Sequence, residues 1–192
     1  APARGGGGGG RPGAPPPPAP PAPPPQAPHP PLGLVHGPGT WAVSVAAPLG
    51  RITGAQVRAL LPAPGDELRM TPWRGVVVPG FADRPAAEAR LAALEATGFI
   101  TRADSPWYGV GACTGLPGCG KSLADVRADA TPGRGGLPVY WSGCERRCGH
   151  PHGEYVDVLA TGAGTYRVTV RDIDVPTDEG LAGAIAAART TK

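Results

Sequence analysis

The four cysteines of the chain all lie between residues 113 and 148, and this clustering constrains the fold more than any other feature. They form two pairs: five residues separate Cys113 from Cys119, three separate Cys144 from Cys148, and 24 lie between the pairs. Iron-sulfur clusters take four thiolates from backbone that can come close to them. Two such pairs, with every cysteine used, predict four thiolates that converge on one inorganic centre, with a 4Fe-4S cluster as the first candidate.

The residues around the cysteines favour the same interpretation. Glycine lacks the side chain that would block a close approach of the backbone, and five glycines flank the pairs: Gly115, Gly118, Gly120, Gly143 and Gly149. If residues 144–148 form a helical turn, both sulfurs of that pair lie on one face. Lys121, Arg146 and Arg147 would then bring positive charge near the sulfurs and moderate the charge of the cluster.

Two other uses of the same cysteines stay open. Zinc is bound by four thiolates as well, but structural zinc sites usually leave two to four residues between paired cysteines, which makes the first pair wide. Disulfides require an oxidising compartment. No secretory segment is visible, although the sequence begins at Ala1 and a signal upstream of it would not be seen.

A third alternative overlaps the first pair. Residues 115–122 (GLPGCGKS) match the pattern of a phosphate-binding P-loop, in which backbone N–H groups and a lysine, here Lys121, hold nucleotide phosphates. Such a loop should follow a buried apolar strand, whereas residues 107–113 (WYGVGAC) are short and interrupted by glycine. The lack of such a strand disfavours a nucleotide binder. So short a pattern also recurs by chance in glycine-rich sequence.

The composition divides the chain into a biased segment and a domain. Residues 1–40 hold 15 of the 27 prolines and 10 of the 31 glycines, which predicts a disordered or polyproline II tail, or a ligand for a proline-recognising partner. The other residues carry 16 basic and 15 acidic side chains without a basic patch interleaved with aromatics, so we expect no nucleic-acid partner. No apolar run approaches the roughly 18 residues that span a bilayer, and thiols kept for a metal centre indicate the cytoplasm.

Residues 41–104 predict a first lobe with the order β-α-β-α. Alternating apolar residues over 41–47 predict a strand, and 67–71 and 75–78 are extended. Thr53 and Asp83 are typical helix caps. The apolar residues assigned to the two helices are Val57, Leu60 and Leu61 in the first and Ala87, Leu91 and Leu94 in the second.

Residues 105–192 predict a second lobe that carries the cysteines. We expect a helix over 122–128, a strand over 137–142 that delivers Cys144, a hairpin of 155–161 with 166–170, and a last helix after Asp178 with Leu181 and Ile185 inward. Two lobes with mixed sheets and segregated helices predict an α+β protein.

The cysteine motifs resemble a known family. Cys113 and Cys119, followed after a gap by residues 142–149 (SGCERRCG), are similar to the cluster motif of the nitrite and sulfite reductase superfamily. Within it the chain is most similar to the precorrin-3B synthase family, on residues 68–78 (LRMTPWRGVVV), 111–119 (GACTGLPGC) and 142–151 (SGCERRCGHP). The reductases typically read Cys-Pro-Asn-x-Cys at the second pair, and the His-Pro after Cys148 favours the synthases. The resemblance covers roughly residues 45–190.

The resemblance implies a fold and an activity. Residues 41–104 would be a nitrite/sulfite reductase ferredoxin-like half-domain, and 105–192 a 4Fe-4S domain of the siroheme type. The four cysteines would hold the cluster, which relays electrons for oxygen-dependent hydroxylation and lactone formation on precorrin-3A in aerobic cobalamin biosynthesis. Cys148 would also bridge to a second iron, in siroheme or a mononuclear non-heme site. A siroheme-dependent sulfite or nitrite reductase fragment is the alternative.

The resemblance also implies partners: a tetrapyrrole substrate and an electron donor. The family has two such units in tandem, and this chain carries only the cluster-bearing one. A fragment inactive alone, with a first half-unit as a further partner, is therefore expected.

Other residues are weaker candidates for binding. Arg69 and Arg74 suit the carboxylates of a tetrapyrrole, because guanidinium groups pair bidentately with carboxylates, but exposed arginines are also ordinary on protein surfaces. His150 and His152 are candidate iron ligands or proton donors, although Pro151 and Gly153 favour a solvent-facing loop. Large aromatic residues stack on macrocycles but more often pack in cores, which is our expectation for Trp73, Trp107 and Trp141.

Overall fold

The computed structural model describes residues 31–64, 67–178 and 180–191, which form two β-sheets with helices packed on them. The elements in chain order are β1 Gly33–Gly37, β2 Thr40–Ala46, α1 Gly54–Leu60, β3 Arg69–Met70, β4 Gly75–Phe81, α2 Arg84–Ala96, β5 Val110–Ala112, α3 Val126–Asp129, β6 Val139–Ser142, β7 Val156–Gly162, β8 Thr165–Val170, β9 Ile173–Asp174 and α4 Leu181–Thr190. The predicted mixture of helices and strands on two sheets is confirmed.

The first sheet is antiparallel, with strand order β1-β2-β4-β3. Alternate residues of β2 and β4 face α1 and α2, so Val43, Val45, Val76 and Val78 are fully buried against the helices. Leu94 of α2 is also completely buried in this core.

Both predicted caps begin their helices. Thr53 accepts the backbone N–H of Gln56, whose side chain in turn accepts the N–H of Thr53, a capping box that satisfies two otherwise unpaired donors. Asp83 accepts the N–H of Ala86 at the start of α2.

The second sheet is mixed, with strand order β5-β6-β7-β8-β9. Its first three strands run parallel and the last three pair antiparallel. Its core forms around Trp141, which packs edge-on against the ring of Tyr166 with 5.0 Å between ring centroids. Ile185 and Ala188 of α4 cover this core, as the inward position predicted for Ile185 requires.

The two lobes are joined by backbone and side-chain contacts. Ala46 at the end of β2 forms an antiparallel bridge with Ile100 within the first lobe. Between the lobes, Nη2 of Arg74 in the first donates to the carbonyl of Gly149 in the second. Leu49, in a 3-10 turn that follows β2, packs against the core of the second sheet. The cysteine-bearing lobe therefore rests directly on the end of the first sheet.

Several predicted features are corrected. Residues 33–37 are a strand of the first sheet and not part of a tail, while residues 1–30 lie outside the described ranges. The first sheet is wholly antiparallel rather than mixed.

The predicted helix over 122–128 is reduced to α3, because Asp125 caps it and the preceding residues belong to a loop. Val57 and Leu61 are exposed, since the buried face of α1 is formed by Gln56 and Leu60. Among the described residues, no helix has the length and apolar character needed to cross a bilayer.

Candidate metal centre

The two cysteine loops leave the second sheet at the same edge. Cys113 directly follows β5, and Cys144 comes two residues after β6. These strands are parallel neighbours with Ala112 opposite Trp141, and the carboxyl ends of parallel strands meet at one edge. The N–H of Cys113 continues the ladder by donating to the carbonyl of Trp141 at 3.0 Å.

A backbone N–H is directed at one of the sulfurs. The N–H of Gly143 donates to Sγ of Cys113 with 3.2 Å between nitrogen and sulfur. Hydrogen bonds from the backbone to thiolate sulfur lower its negative charge, which is how proteins stabilise and tune iron-sulfur clusters. A Cβ added to Gly143 would lie 1.9 Å from Oγ of Ser122, so only glycine allows the two loops to come this close.

The first cysteine loop is folded back by its own hydrogen bonds. Gly115 has a left-handed backbone with φ of 67°, and its carbonyl accepts the N–H of Cys119 at 2.8 Å. The carbonyl of Cys119 in turn accepts the N–H of Ser122 at 3.0 Å. These two turns place Cys119 in the same loop structure that abuts Gly143.

The second cysteine loop is a turn without the helical conformation that would place both of its sulfurs on one face. Arg147 has a positive φ of 46°, which an α-helix does not permit, and its N–H donates to the carbonyl of Cys144 at 3.1 Å. The Arg147 guanidinium pairs through Nε with Asp157 of β7 at 2.5 Å and also contacts Glu145. The positive charge that Arg147 brings between the last two cysteines is therefore paired with two carboxylates.

Tyr140 of β6 holds the second cysteine loop through a hydrogen bond to its backbone. Its hydroxyl donates to the carbonyl of Cys148, with 2.5 Å between the oxygens. Burial of the ring raises the pKa of Tyr140 above its ordinary value, against a smaller lowering effect of Arg74. The hydroxyl thus keeps the proton that it donates to the loop.

Arg69 and Arg74 have different surroundings. Arg69 is exposed and pairs with Glu67 at 2.6 Å. Arg74 reaches the second lobe, where its Nη2 donates to the carbonyl of Gly149 and its guanidinium carbon lies 5.2 Å from the centroid of the Tyr140 ring. Of these two predicted binding residues, only Arg74 is therefore placed beside a cysteine loop.

The four thiols are free, and three of them are partly buried, while Cys148 is exposed. Four free thiols on two glycine-rich loops, with a backbone N–H on one sulfur, fit the donor set of a 4Fe-4S cluster. Over residues 31–64, 67–178 and 180–191, no three Cys, His, Asp or Glu side chains are arranged to hold a metal ion. The convergence of all four sulfurs on one centre accordingly stays a prediction.

A cavity of about 450 Å³ opens beside Cys144. Its lining includes Lys121 and Arg146, two of the three cations expected near the sulfurs, together with Glu145. The charged side chains that line the cavity are thus two cations and one carboxylate.

The loop around Lys121 does not have the structure of a P-loop. A P-loop leads into a helix whose N-terminus faces the phosphates, whereas residues 113–125 contain no helix. Ser122, the residue that would reach a magnesium ion, is buried and donates its hydroxyl to the carbonyl of Ala124.

The remaining candidates are dispersed. His150 is exposed, and its Nδ1 lies 3.0 Å from the carbonyl of Arg147, while His152 is exposed on the same loop. Trp141 is fully buried in the core, Trp107 packs against that core, and Trp73 is half-buried. The expectation that tryptophans pack rather than stack on a macrocycle is thus confirmed for Trp141 and Trp107.

Sequence reasoning did not identify Tyr140 or Asp157 as parts of the site. A signal was present, since Tyr140 alternates along β6 with Val139 and Trp141, whose side chains enter the core. Tyr140 must therefore point to the opposite face, and its partner across the parallel register is Asp157.

Comparisons with known proteins show similarity at the level of the fold. No family model and no curated protein matches the sequence. Among solved structures, the NirA protein of Mycobacterium tuberculosis matches with a TM-score of 0.55 and 20% identity, over 76% of this chain and 33% of that one. Dissimilatory sulfite reductase I (DsrI) matches with a TM-score of 0.44 and 13% identity, over 62% of this chain and 32% of its own. The chain therefore has a fold similar to part of the NirA protein and spans about a third of its length.

Proposed function

We propose that the chain is the cluster-bearing unit of an oxidoreductase related to the nitrite and sulfite reductases, with a 4Fe-4S cluster bound by Cys113, Cys119, Cys144 and Cys148. The observation that carries the proposal is the contact of the Gly143 N–H with Sγ of Cys113, which joins the second cysteine loop to a sulfur of the first. The similarity of the fold to part of the NirA protein supports the same class.

The residues of this chain would have separate tasks in holding the group. A bound cluster would accept and donate single electrons, chemistry that side chains alone do not supply. The Gly143 N–H offsets negative charge on Cys113, and the cations that line the cavity, Lys121 and Arg146, do so at longer range. The ion pair of Arg147 with Asp157 fixes the turn between the last two cysteines.

The finer proposal is a unit like precorrin-3B synthase, acting on the tetrapyrrole precorrin-3A. Cys148, the most exposed of the four thiols, is the residue expected to bridge to a second iron, and exposure is what such a bridge requires. Arg69 is exposed and its partner Glu67 is a surface residue, so Arg69 would be available for a substrate carboxylate. A first half-unit and an electron donor would be further partners.

Metal analysis after anaerobic purification tests this proposal. The full chain is reconstituted with ferrous iron and sulfide, and iron, acid-labile sulfide and zinc are measured together with the electron paramagnetic resonance of the reduced sample. We expect about four iron and four sulfide per chain. Each of the four cysteines replaced singly by serine should lower the iron content and alter the resonance, whereas Thr114→Ala, next to Cys113, should leave both unchanged.

Two outcomes would contradict the proposal. Protein that binds zinc and remains free of iron after reconstitution would remove the redox assignment. Full iron content in all four serine variants would show that other residues hold the metal. Siroheme extracted from the purified protein would instead keep the redox assignment and favour a siroheme-dependent reductase over a synthase.

A further inference from the structure

Arg74 is held across the boundary between the two lobes. It lies in the turn between β3 and β4 with a positive φ of 60°, and its carbonyl accepts the N–H of Ala47 at 3.0 Å. A left-handed backbone is unfavourable for arginine. The neighbouring contacts keep the residue in this conformation, from which its side chain points out of the first lobe.

The side chain of Arg74 runs along three glycines. A Cβ added to Gly111 would lie 2.4 Å from Nη1 of Arg74, and one added to Gly50 would lie 2.5 Å from its Cδ. A Cβ on Gly149 would be 3.1 Å from Oη of Tyr140 and 3.5 Å from Nη2 of Arg74. A side chain on Gly50 or Gly111 would therefore collide with Arg74 in its present position.

Arg74 and Tyr140 end on consecutive carbonyls. Nη2 of Arg74 donates to the carbonyl of Gly149, and the hydroxyl of Tyr140 donates to the carbonyl of Cys148. The guanidinium also lies over the Tyr140 ring, so each side chain limits the position of the other. Two donors on adjacent carbonyls determine the orientation of the peptide between them.

We propose that Arg74 and Tyr140 are positioning residues that together hold the Cys148–Gly149 peptide, and with it the thiol of Cys148, from the face of the sheet opposite the core. Arg74 thereby couples the first lobe to the fourth predicted ligand, and its donor toward Gly149 is not free for a substrate carboxylate. This inference rests on the proposed function for its consequence in the loaded protein, but the contacts exist in the chain without metal.

Hydrogen exchange in the metal-free protein tests the positioning itself. The N–H groups of Arg147 and His150 are hydrogen-bonded within the loop, to the carbonyls of Cys144 and Arg147, so their exchange reports opening of the loop. Arg74→Met and Tyr140→Phe should each speed this exchange about fivefold or more, since a net hydrogen bond is worth roughly that factor. Arg74→Lys, which keeps one donor but not the planar group over Tyr140, should give an intermediate rate.

Two variants serve as matched controls. Arg69→Met makes the same substitution at an exposed arginine of the neighbouring strand, which pairs with Glu67. Tyr166→Phe removes a tyrosine hydroxyl that bonds Asp129 instead of the loop. Neither should change the exchange of the Arg147 and His150 amides.

Unchanged exchange in Arg74→Met and Tyr140→Phe would overturn the inference. So would an equal increase at core amides of β7, since that pattern would mean general destabilisation. After reconstitution we further expect the reduction potential and the resonance of the cluster to differ between each of these two variants and the wild-type protein. If wild-type protein takes up no iron, the proposed function fails, while the exchange measurements still decide whether Arg74 and Tyr140 hold the loop.

Discussion

Removing the Arg147 guanidinium should be among the most damaging single changes in the cysteine loops. The side chain of Asp157 is 9% exposed, and its Oδ2 accepts Nε of Arg147 at 2.5 Å. Its other oxygen, Oδ1, is buried and has no hydrogen-bond partner within the described ranges. Arg147→Met would therefore leave a buried carboxylate without its counter-charge.

The size of the effect follows from how buried each partner is. Breaking a fully buried ion pair by removing one partner costs about 3–5 kcal/mol. The Arg147 side chain is 29% exposed, so water reaches part of this pair. We expect Arg147→Met to lower the free energy of unfolding by about 2–3 kcal/mol, a fall in Tm of about 4–12 °C for a folded part of this size.

Equilibrium unfolding in urea, measured on metal-free protein, checks this value. Glu145→Ala is the matched control, because Glu145 contacts the same arginine but is 73% exposed, and such surface pairs contribute less than about 1 kcal/mol. The double variant Arg147→Met/Asp157→Leu should recover part of the loss, because the buried charge is then gone. A cost for Arg147→Met no larger than that for Glu145→Ala would refute the assignment of this pair as a buried constraint on the loop.

Two further predictions concern other parts of the second lobe. Gly136 and Gly164 both have φ of 69°, but a Cβ on Gly136 would lie 2.3 Å from the carbonyl oxygen of Arg189, whereas one on Gly164 meets nothing within 4 Å. In urea unfolding, Gly136→Ala should therefore lower the free energy of unfolding by about 1–3 kcal/mol more than Gly164→Ala does. Equal losses in the two variants would contradict this packing. Burial and the hydrogen bond to Asp129 raise the pKa of Tyr166 above its ordinary 10.0. The stability that the protonated Tyr166 contributes is therefore complete below pH 10 and is lost as the pH rises through the raised pKa. The alkaline fall in Tm should be shallower in Tyr166→Phe than in wild type, and identical pH profiles would count against a protonated Tyr166 that is hydrogen-bonded to Asp129.

The elements that could be predicted from the sequence are those whose signals are local. Alternation of apolar residues identified β2, and the caps Thr53 and Asp83 identified the starts of α1 and α2. These features depend on residues within one turn or one strand of each other. They can therefore be predicted without knowledge of the tertiary contacts.

The missed elements depend on competing or distant contacts. The strand Gly33–Gly37 is short, contains two glycines and directly follows the proline-rich segment, and it is a strand because β2 pairs with it. The helix expected from Ser122 begins only at Val126, because the Ser122 hydroxyl bonds the carbonyl of Ala124 and Asp125 supplies the cap. Such outcomes are decided by partners that propensity does not include.

The candidate site divides in the same way. The spacing of the cysteines predicts two loops, and the parallel pairing of β5 with β6 explains why both loops open at one edge. Two side chains hold the second loop: Tyr140 of β6, which precedes it, and Asp157 of the neighbouring strand β7. The spacing of the cysteines carries no information about either residue. Arg74 is farther still, in another lobe, and its role depends on how the lobes meet.

The first lobe contacts the second cysteine loop directly through Arg74. At the edge where β5 and β6 end, the backbone N–H of Cys113 is paired with the carbonyl of Trp141. Cys148 lies beyond the strand and is exposed. Its peptide is reached from one side by Tyr140 of β6 and from the other lobe by Arg74. A change at the junction near Ala47, which bonds the carbonyl of Arg74, should therefore shift the position of Cys148, because Arg74 and Tyr140 hold its peptide from both lobes.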